Sequence, residues 1–92
     1  MKSLVDKARA ERVVATLTRL RSVSDIFTVE RELATLARGD ARRERTDQGS
    51  ERRDAFIAIQ ALRQGLGMAP ADVQTRWHDA IAKAQVWLSS FN

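Results

Sequence analysis

The chain has 92 residues and a formal net charge of +4, and 43% of its residues are hydrophobic while 30% are charged. These values predict one small globular domain and exclude both a disordered chain and a chain of two domains. The lack of cysteine excludes a disulfide framework, a thiolate metal site and a cysteine nucleophile, and no apolar run approaches the roughly 18 residues of a membrane span.

The first predicted helix runs from about Ser3 to Arg21. Its apolar residues fall on one arc at about 100° per residue, namely Ala10, Val13, Val14, Leu17 and Leu20. A basic flank adjoins this arc and contains Arg9, Arg12, Arg19 and Arg21. Residues 1–22 hold six basic and two acidic groups, which accounts for the whole net charge of +4. The flank is interpreted as a solvated edge whose long side chains cover apolar surface, with phosphate contact as the alternative.

The second predicted helix begins after Ser22 or Ser24, either of which can cap it. Asp25 lies in its first turn, where a carboxylate complements the positive end of the helix dipole. Apolar residues repeat at helical spacing at Ile26, Val29, Leu33 and Leu36. We expect the helix to end near Arg38, because Gly39 suits a left-handed cap. Its solvated side is predicted to consist of Glu30, Arg31 and Glu32.

A strongly charged segment, Gly39 to Asp54, follows the second helix. It contains five acidic residues and five arginines, which are Arg42, Arg43, Arg45, Arg52 and Arg53, so its charges sum to zero. Phosphate binding depends on uncompensated cations. The segment therefore favours a charged connector at about residues 39–50, or a surface on which arginines pair with the carboxylates of a partner protein. It is too long for the turn of a helix-turn-helix motif, which has roughly three to four residues.

The stretch AFIAIQAL, Ala55 to Leu62, predicts a third helix at the centre of the core. Its only polar residue is Gln60, and its three alanines favour a helix over a buried strand. Gly49 lies just before Ser50, and a glycine inside a helix costs about 1 kcal/mol relative to alanine. We therefore expect the helix to begin near Ser50, with Asp40 as the alternative cap of a longer helix. The apolar run predicts burial on most of its sides.

A turn from Gly65 to Pro70 precedes the fourth predicted helix. Pro70 suits the first helical position, and Asp72 lies in the first turn. An apolar stripe then runs to the end of the helix through Val73, Trp77, Ala80, Ile81, Ala84, Leu88 and Phe91. Trp87 falls on the margin of this stripe, which makes it a candidate contact with a partner protein.

The sequence shows none of the patterns that carry enzyme chemistry. His78 is the only histidine and is expected to lie exposed beside Asp79 on the polar side of the last helix. Histidines and carboxylates at metal-binding spacing are missing, and Gly65 and Gly67 follow no strand, as a dinucleotide site requires. We therefore predict no catalytic residue, no metal and no cofactor.

These patterns predict an all-α domain over residues 1–92, a small antiparallel bundle of three to four helices. The predicted function is non-enzymatic: an adaptor, inhibitor or regulator that binds another protein. Its candidate contacts are Arg42, Arg43, Arg45, Arg52, Arg53 and Trp87. The alternative is a small DNA-binding accessory or repressor protein that uses Arg9, Arg12, Arg19 and Arg21.

Composition also indicates a cellular setting. The 13 arginines against 3 lysines reflect a GC-rich genome and favour a bacterial or phage origin. Charged residues come too early in MKSLVDKARAER for a signal peptide, so we expect a cytoplasmic location and no contact with a membrane. A chain this short buries about two-thirds of its unfolded surface at best, so a homodimer or a partner protein is expected to complete the burial. Host regulators and phage-encoded inhibitors fit this setting equally.

Overall fold

The computed structural model describes residues 4–42 and 49–91, with side chains described for residues 6–35 and 50–91. Four helices account for most of this part of the chain, and it contains no strand. They are α1 (Leu4–Thr18), α2 (Val23–Arg42), α3 (Gly49–Gln64) and α4 (Pro70–Ser89). The predicted all-α class is confirmed.

The helices form a ring in which each packs against two others. Among the described residues, α1 packs on α2, α2 on α3, α3 on α4 and α4 on α1, while no Cα atoms approach within 8 Å across either diagonal. The short connections between α1 and α2 and between α3 and α4 make those pairs antiparallel. The indole Nε1 of Trp77, early in α4, donates a 2.7 Å hydrogen bond to the carbonyl oxygen of Leu17, late in α1. This bond gives α1 and α4 opposite directions too, so the fold is an antiparallel four-helix bundle.

The core contains apolar side chains from all four helices at helical spacing. The predicted apolar arc of α1 is buried at Ala10, Val13 and Leu17, and that of α2 at Ile26, Val29 and Leu33. From α3 and α4 the core receives Ala55, Ala58, Ile59, Leu62, Ala80, Ala84 and Trp87. The amphipathic patterns thus identified the inner faces of α1 and α2 correctly.

The end of α2 differs from the prediction. The helix continues through Gly39 to Arg42, so the expected left-handed cap at Gly39 and the end near Arg38 are wrong. A glycine ends a helix only if it adopts the left-handed conformation, and here its neighbours Ala37, Arg38 and Ala41 are strong helix formers. The predicted connector at about residues 39–50 therefore overlaps both helices, because α3 already begins at Gly49. Its middle, residues 43–48, lies outside the described residues.

Two glutamates on α2 were placed wrongly on its solvated side. The carboxylate oxygens of Glu30 lie 2.7 and 2.9 Å from Nε of Arg63 on α3. One carboxylate oxygen of Glu32 lies 3.3 Å from Nη1 of Arg12 on α1. Both glutamate side chains are less than one-fifth exposed, since each lies at a flank of α2 where a neighbouring helix packs. They join α2 to its two neighbours, and of the predicted side only Arg31 is exposed.

The third helix is not buried on most of its sides. Ile57, in the middle of the apolar run, is 55% exposed, because α3 packs only against α2 and α4. A helix in a ring of four always keeps an outer face, and Ile57 occupies it. The first helix also ends earlier than expected, at Thr18, so Arg19 and Arg21 belong to the turn that follows it.

Candidate protein-binding groove

The α1–α2 and α3–α4 turns meet at one end of the bundle, because the helices that they join are antiparallel. Two hydrogen bonds to helix carbonyls tie this end together. Nε1 of Trp77 donates to the carbonyl oxygen of Leu17, and Nη1 of Arg76 donates to that of Ala61, each over 2.7 Å. Both acceptors belong to the last turn of a helix. The carbonyl oxygen of Ala61 also accepts a 3.0 Å bond from the backbone N–H of Gly65. Side chains of α4 thus bind the carboxyl ends of both α1 and α3.

Local hydrogen bonds fix the turn between α1 and α2. Ser22 directly precedes α2, and its carbonyl oxygen accepts a 3.2 Å bond from the backbone N–H of Asp25. A side-chain oxygen of Asp25 reaches back and accepts a 3.0 Å bond from the backbone N–H of Arg21. The predicted start of α2 after Ser22 is confirmed, with Asp25 in the first turn. The Ser22 hydroxyl, however, pairs with that of Ser24 over 2.7 Å instead of capping a backbone N–H. The bond to Asp25 holds the backbone of Arg21 in place while leaving the guanidinium group exposed.

The turn between α3 and α4 is held from inside the bundle. Gly65 is buried, and its backbone N–H donates to the carbonyl oxygens of Ala61 and Leu62 over 3.0 and 3.1 Å. Its carbonyl oxygen accepts a 2.9 Å bond from the backbone N–H of Met68. Pro70 then begins α4, as predicted, and the N-cap residue Ala69 offers no side-chain hydrogen bond. The turn is therefore ordered by its own backbone and presents the Met68 side chain to solvent.

An open groove of about 570 Å³ lies between these two turns. Its floor and walls are mainly apolar and consist of Leu20, Ile26, Leu62, Leu66, Val73 and Trp77. Two exposed apolar residues stand at its mouth, Val23 with 51% and Met68 with 45% of their surface accessible. Its volume lies within the range of roughly 300–1,000 Å³ that binding pockets occupy. The groove is thus large enough, and apolar enough, to take side chains from another molecule.

The groove contains few polar groups. Arg21 is the only charged residue among those that line it, and Ser22 and Gln74 are the other polar ones. Within the described part of the chain, the guanidinium group of Arg21 forms no hydrogen bond or ion pair. Arg19, two residues earlier, is exposed as well. The groove itself therefore carries one positive charge, that of Arg21.

The predicted protein-contact arginines that the structure describes lie away from this groove. Arg42 is the last residue of α2, and Arg52 and Arg53 lie in the first turns of α3, which places all three toward the opposite end of the bundle. Arg53 is exposed and Arg52 is half-buried. Arg43 and Arg45 lie outside the described residues. Arg42, Arg52 and Arg53 are therefore not part of the groove.

Trp87 does not lie at the margin of the buried face of α4. The side chain is only 1% exposed and is the largest fully buried one, so it offers no surface to a partner. It follows Arg76 by three helical turns and therefore shares its flank, which packs on α3. The predicted apolar stripe was centred on the flank of α4 that faces α1. It did not include the flank that packs on α3, where Trp87 lies. The Trp87 Nε1 atom is buried without a hydrogen-bond partner among the described residues.

The basic flank predicted on α1 is divided in the structure. Arg12 lies beside Glu32 on α2, and Arg9 is half-buried within α1. Arg19 and Arg21 belong to the α1–α2 turn, and Arg21 lines the groove. Of the four candidate phosphate contacts, two thus lie along the helix, one lies in the turn, and one lines the groove.

The groove itself was not predicted from the sequence. Its lining combines residues from two turns that are distant in the sequence, and neither turn has an apolar pattern of its own. One signal was present: Leu66 and Met68 place two large apolar side chains in a turn, where polar residues are usual. Exposed apolar side chains in a turn indicate either a covered surface or a binding site.

Other kinds of site are not evident in the described part of the chain. It contains no cluster of three or more histidine or acidic side chains arranged to hold a metal ion. His78 is exposed, as predicted, and the centroid of its ring lies 5.5 Å from the centroid of the Trp77 ring. None of the helices in this part of the chain has both the length and the apolar character needed to cross a bilayer. Comparison with protein-family models, with curated proteins and with solved structures gives no match.

Proposed function

We propose that this protein is a small non-enzymatic adaptor, inhibitor or regulator that receives a segment of another protein in the groove between its two turns. The observation that carries the proposal is the groove itself, with its apolar floor and its volume of about 570 Å³. Val23 and Met68 are exposed at its mouth, although burying such side chains is favourable. A partner segment lying between them would cover both.

The construction of the groove supports this proposal. Its two sides are fixed by the Trp77–Leu17 and Arg76–Ala61 hydrogen bonds, so the apolar surface is formed before a partner arrives. A preformed site avoids the entropy that ordering a loop would cost. Met68 at the mouth is the adaptable element, because an unbranched thioether side chain can follow the shape of different partners.

The arginines between Arg42 and Arg53 keep a secondary role in the proposal. Arg42, Arg52 and Arg53 lie toward the opposite end of the bundle, and the segment Gly39 to Asp54 holds as many acidic residues as arginines. We therefore expect these arginines to steer or select a partner rather than to supply most of the affinity. We assign the activity to the cytoplasm, because a chain without cysteine lacks the disulfides that small exported domains commonly need. A homodimer is the competing way to cover the groove.

A peptide-display experiment with matched variants tests the proposal. The immobilised protein is used to select binders from a random peptide library, and their affinities are measured by fluorescence anisotropy. Replacing both mouth residues, Val23→Glu and Met68→Glu, places charges at the groove without touching the core, and we expect binding to fall at least tenfold. The control is Ile57→Glu with Val86→Glu, because these side chains are equally exposed, at 55% and 56%, and lie away from the groove.

The two pairs of variants carry the same change in charge, and each replaces two exposed apolar side chains. The control should therefore bind the selected peptides as the wild type does. The proposal is wrong if both pairs lose binding equally, or if the mouth variant keeps full affinity for every selected peptide.

A further inference from the structure

We infer that the partner segment is an amphipathic helix that carries an acidic residue next to its apolar anchors, with the carboxylate placed against Arg21. This inference rests on the proposed function and adds the chemistry of the partner. It follows from the backbone groups that the bundle offers, from the charge of the groove and from its shape.

The fold restricts the ways in which it can hold a peptide. The described residues form helices and turns only, so they present no sheet edge to which an extended peptide could add a strand. Recognition of a polyproline segment needs a groove lined by several aromatic rings, and Trp77 is the only aromatic residue in this lining. Of the common modes that use an apolar groove, the other is a helix lying in it, with anchors at positions i, i+3 or i+4, and i+7. The apolar floor between two turns suits that mode.

The charge of the groove selects an acidic partner. Arg21 is the one charged residue in the lining, and its guanidinium group is exposed and has no partner in the described structure. Asp25 is the nearest acid in the sequence, but one of its side-chain oxygens is occupied by the backbone N–H of Arg21. An arginine with a free guanidinium group can bind a carboxylate with two parallel hydrogen bonds.

The helix dipoles give no preference of their own. α2 and α4 begin at the groove, whereas α1 and α3 end there, so the positive ends of two dipoles meet the negative ends of two others. The acids Asp25 and Asp72 also lie in the first turns of α2 and α4. The preference of the groove for a carboxylate therefore rests on Arg21.

A second copy of this chain fits the groove less well. Ile57 is exposed on α3, and Asp54, exposed on the same helix, precedes it by three residues, so this face has the required pairing of an acid and an apolar anchor. The face and the groove are different surfaces, however, and a contact between unlike surfaces continues from copy to copy unless the ring closes. We therefore assign the groove to a different protein, and self-assembly becomes an outcome of the test.

The test uses charge exchange at Arg21 on the full chain. Peptides selected on the wild type are expected to share an acidic residue next to apolar residues at helical spacing. Arg21→Gln should weaken their binding about tenfold, because it removes a charge-assisted contact yet keeps the backbone N–H that Asp25 holds. Arg21→Glu should reject these peptides and bind versions in which the acid is replaced by lysine. Arg31→Glu, an exposed site on α2 outside the groove lining, is the matched control and should change little.

The outcomes separate this inference from the proposed function. If the mouth variant Val23→Glu with Met68→Glu loses binding while Arg21→Gln does not, the acidic partner is wrong and the groove function stands. If the selected peptides show no acidic preference, the inference fails in the same way. If light scattering shows that the chain assembles with itself, and Ile57→Glu abolishes the assembly, the groove takes a second copy and the inference is overturned. If the mouth variant has no effect at all, both proposals fall together.

Discussion

Gly65 is the residue at which the α3–α4 turn depends on having no side chain. A Cβ atom there would lie 2.8 Å from Cδ and 3.1 Å from Nε of Arg76, and 3.3 Å from the carbonyl oxygen of Ala61. These contacts are too short, so Gly65→Ala forces Arg76 to move and breaks its 2.7 Å bond to Ala61. We expect a loss of about 1 kcal/mol in the free energy of unfolding, measured by urea denaturation.

Gly67 provides the matched control for that substitution. Nothing lies within 4 Å of a Cβ atom built there, and among the described residues no glycine has a positive φ. Gly67→Ala should therefore be neutral or stabilising by up to about 1 kcal/mol, because it restricts the unfolded chain. If Gly65→Ala is equally harmless, or equally harmful in an Arg76→Ala background, the contact with Arg76 is not its cause. The sequence predicted both as turn glycines; only the tertiary contact distinguishes them.

At the scale of the element, the prediction and the structure differ in where α2 ends. Gly39 lies inside α2, and a helical glycine is less favourable than alanine by about 0.5–1 kcal/mol. Gly39→Ala should therefore stabilise the protein by about that amount and increase the helical circular dichroism signal. A destabilising effect would instead indicate the left-handed cap that the sequence suggested, because alanine is strained there.

The residue at which each helix begins was easier to predict than the helix against which each of its faces packs. Pro70 opened α4 where its fixed φ suits a first turn, and Asp25 marked the start of α2 through a hydrogen bond to a nearby backbone group. Such signals depend on neighbours in sequence. The burial of Trp87 and the pairing of Glu30 with Arg63 depend on which helix lies alongside, and helical periodicity alone does not specify that neighbour.

At the scale of the whole molecule, Trp87 carries a large share of the stability. Truncating a buried tryptophan costs about 3–5 kcal/mol, and a domain of this size is typically stable by only about 5–15 kcal/mol. Trp87→Ala should therefore bring the protein close to unfolding at room temperature. Trp87→Phe, which loses less volume and removes the unpaired Nε1 donor, should fall between that variant and the wild type.

Thermal and chemical denaturation compare the free energy of unfolding of Trp87→Ala and Trp87→Phe with that of the wild type. Ile57→Ala is the control, because this apolar side chain is 55% exposed and its loss should change the free energy of unfolding by less than about 0.5 kcal/mol. Equal effects at the two positions would contradict the placement of Trp87 in the core.

The groove shows the limit of prediction at this scale. Each turn was recognised from its glycines, serines and proline, but the groove exists only because an antiparallel ring brings the two turns to one end. Arg21 was assigned to a basic helix flank, since nothing in its neighbourhood announced that α1 ends at Thr18. The fold class follows from local patterns, whereas the site follows from how the elements meet.

The contact between α1 and α4 has a consequence for how the molecule opens. Their contact is the one in the ring that pairs helices remote in the sequence, and the Trp77–Leu17 hydrogen bond spans 60 residues of chain. Forming it closes the longest loop in the bundle, so it has the highest entropic cost of any contact between helices. The α1–α4 interface should therefore form late in folding and be lost early in unfolding. Because Trp77 also lines the groove, a molecule that bound there would stabilise the α1–α4 interface.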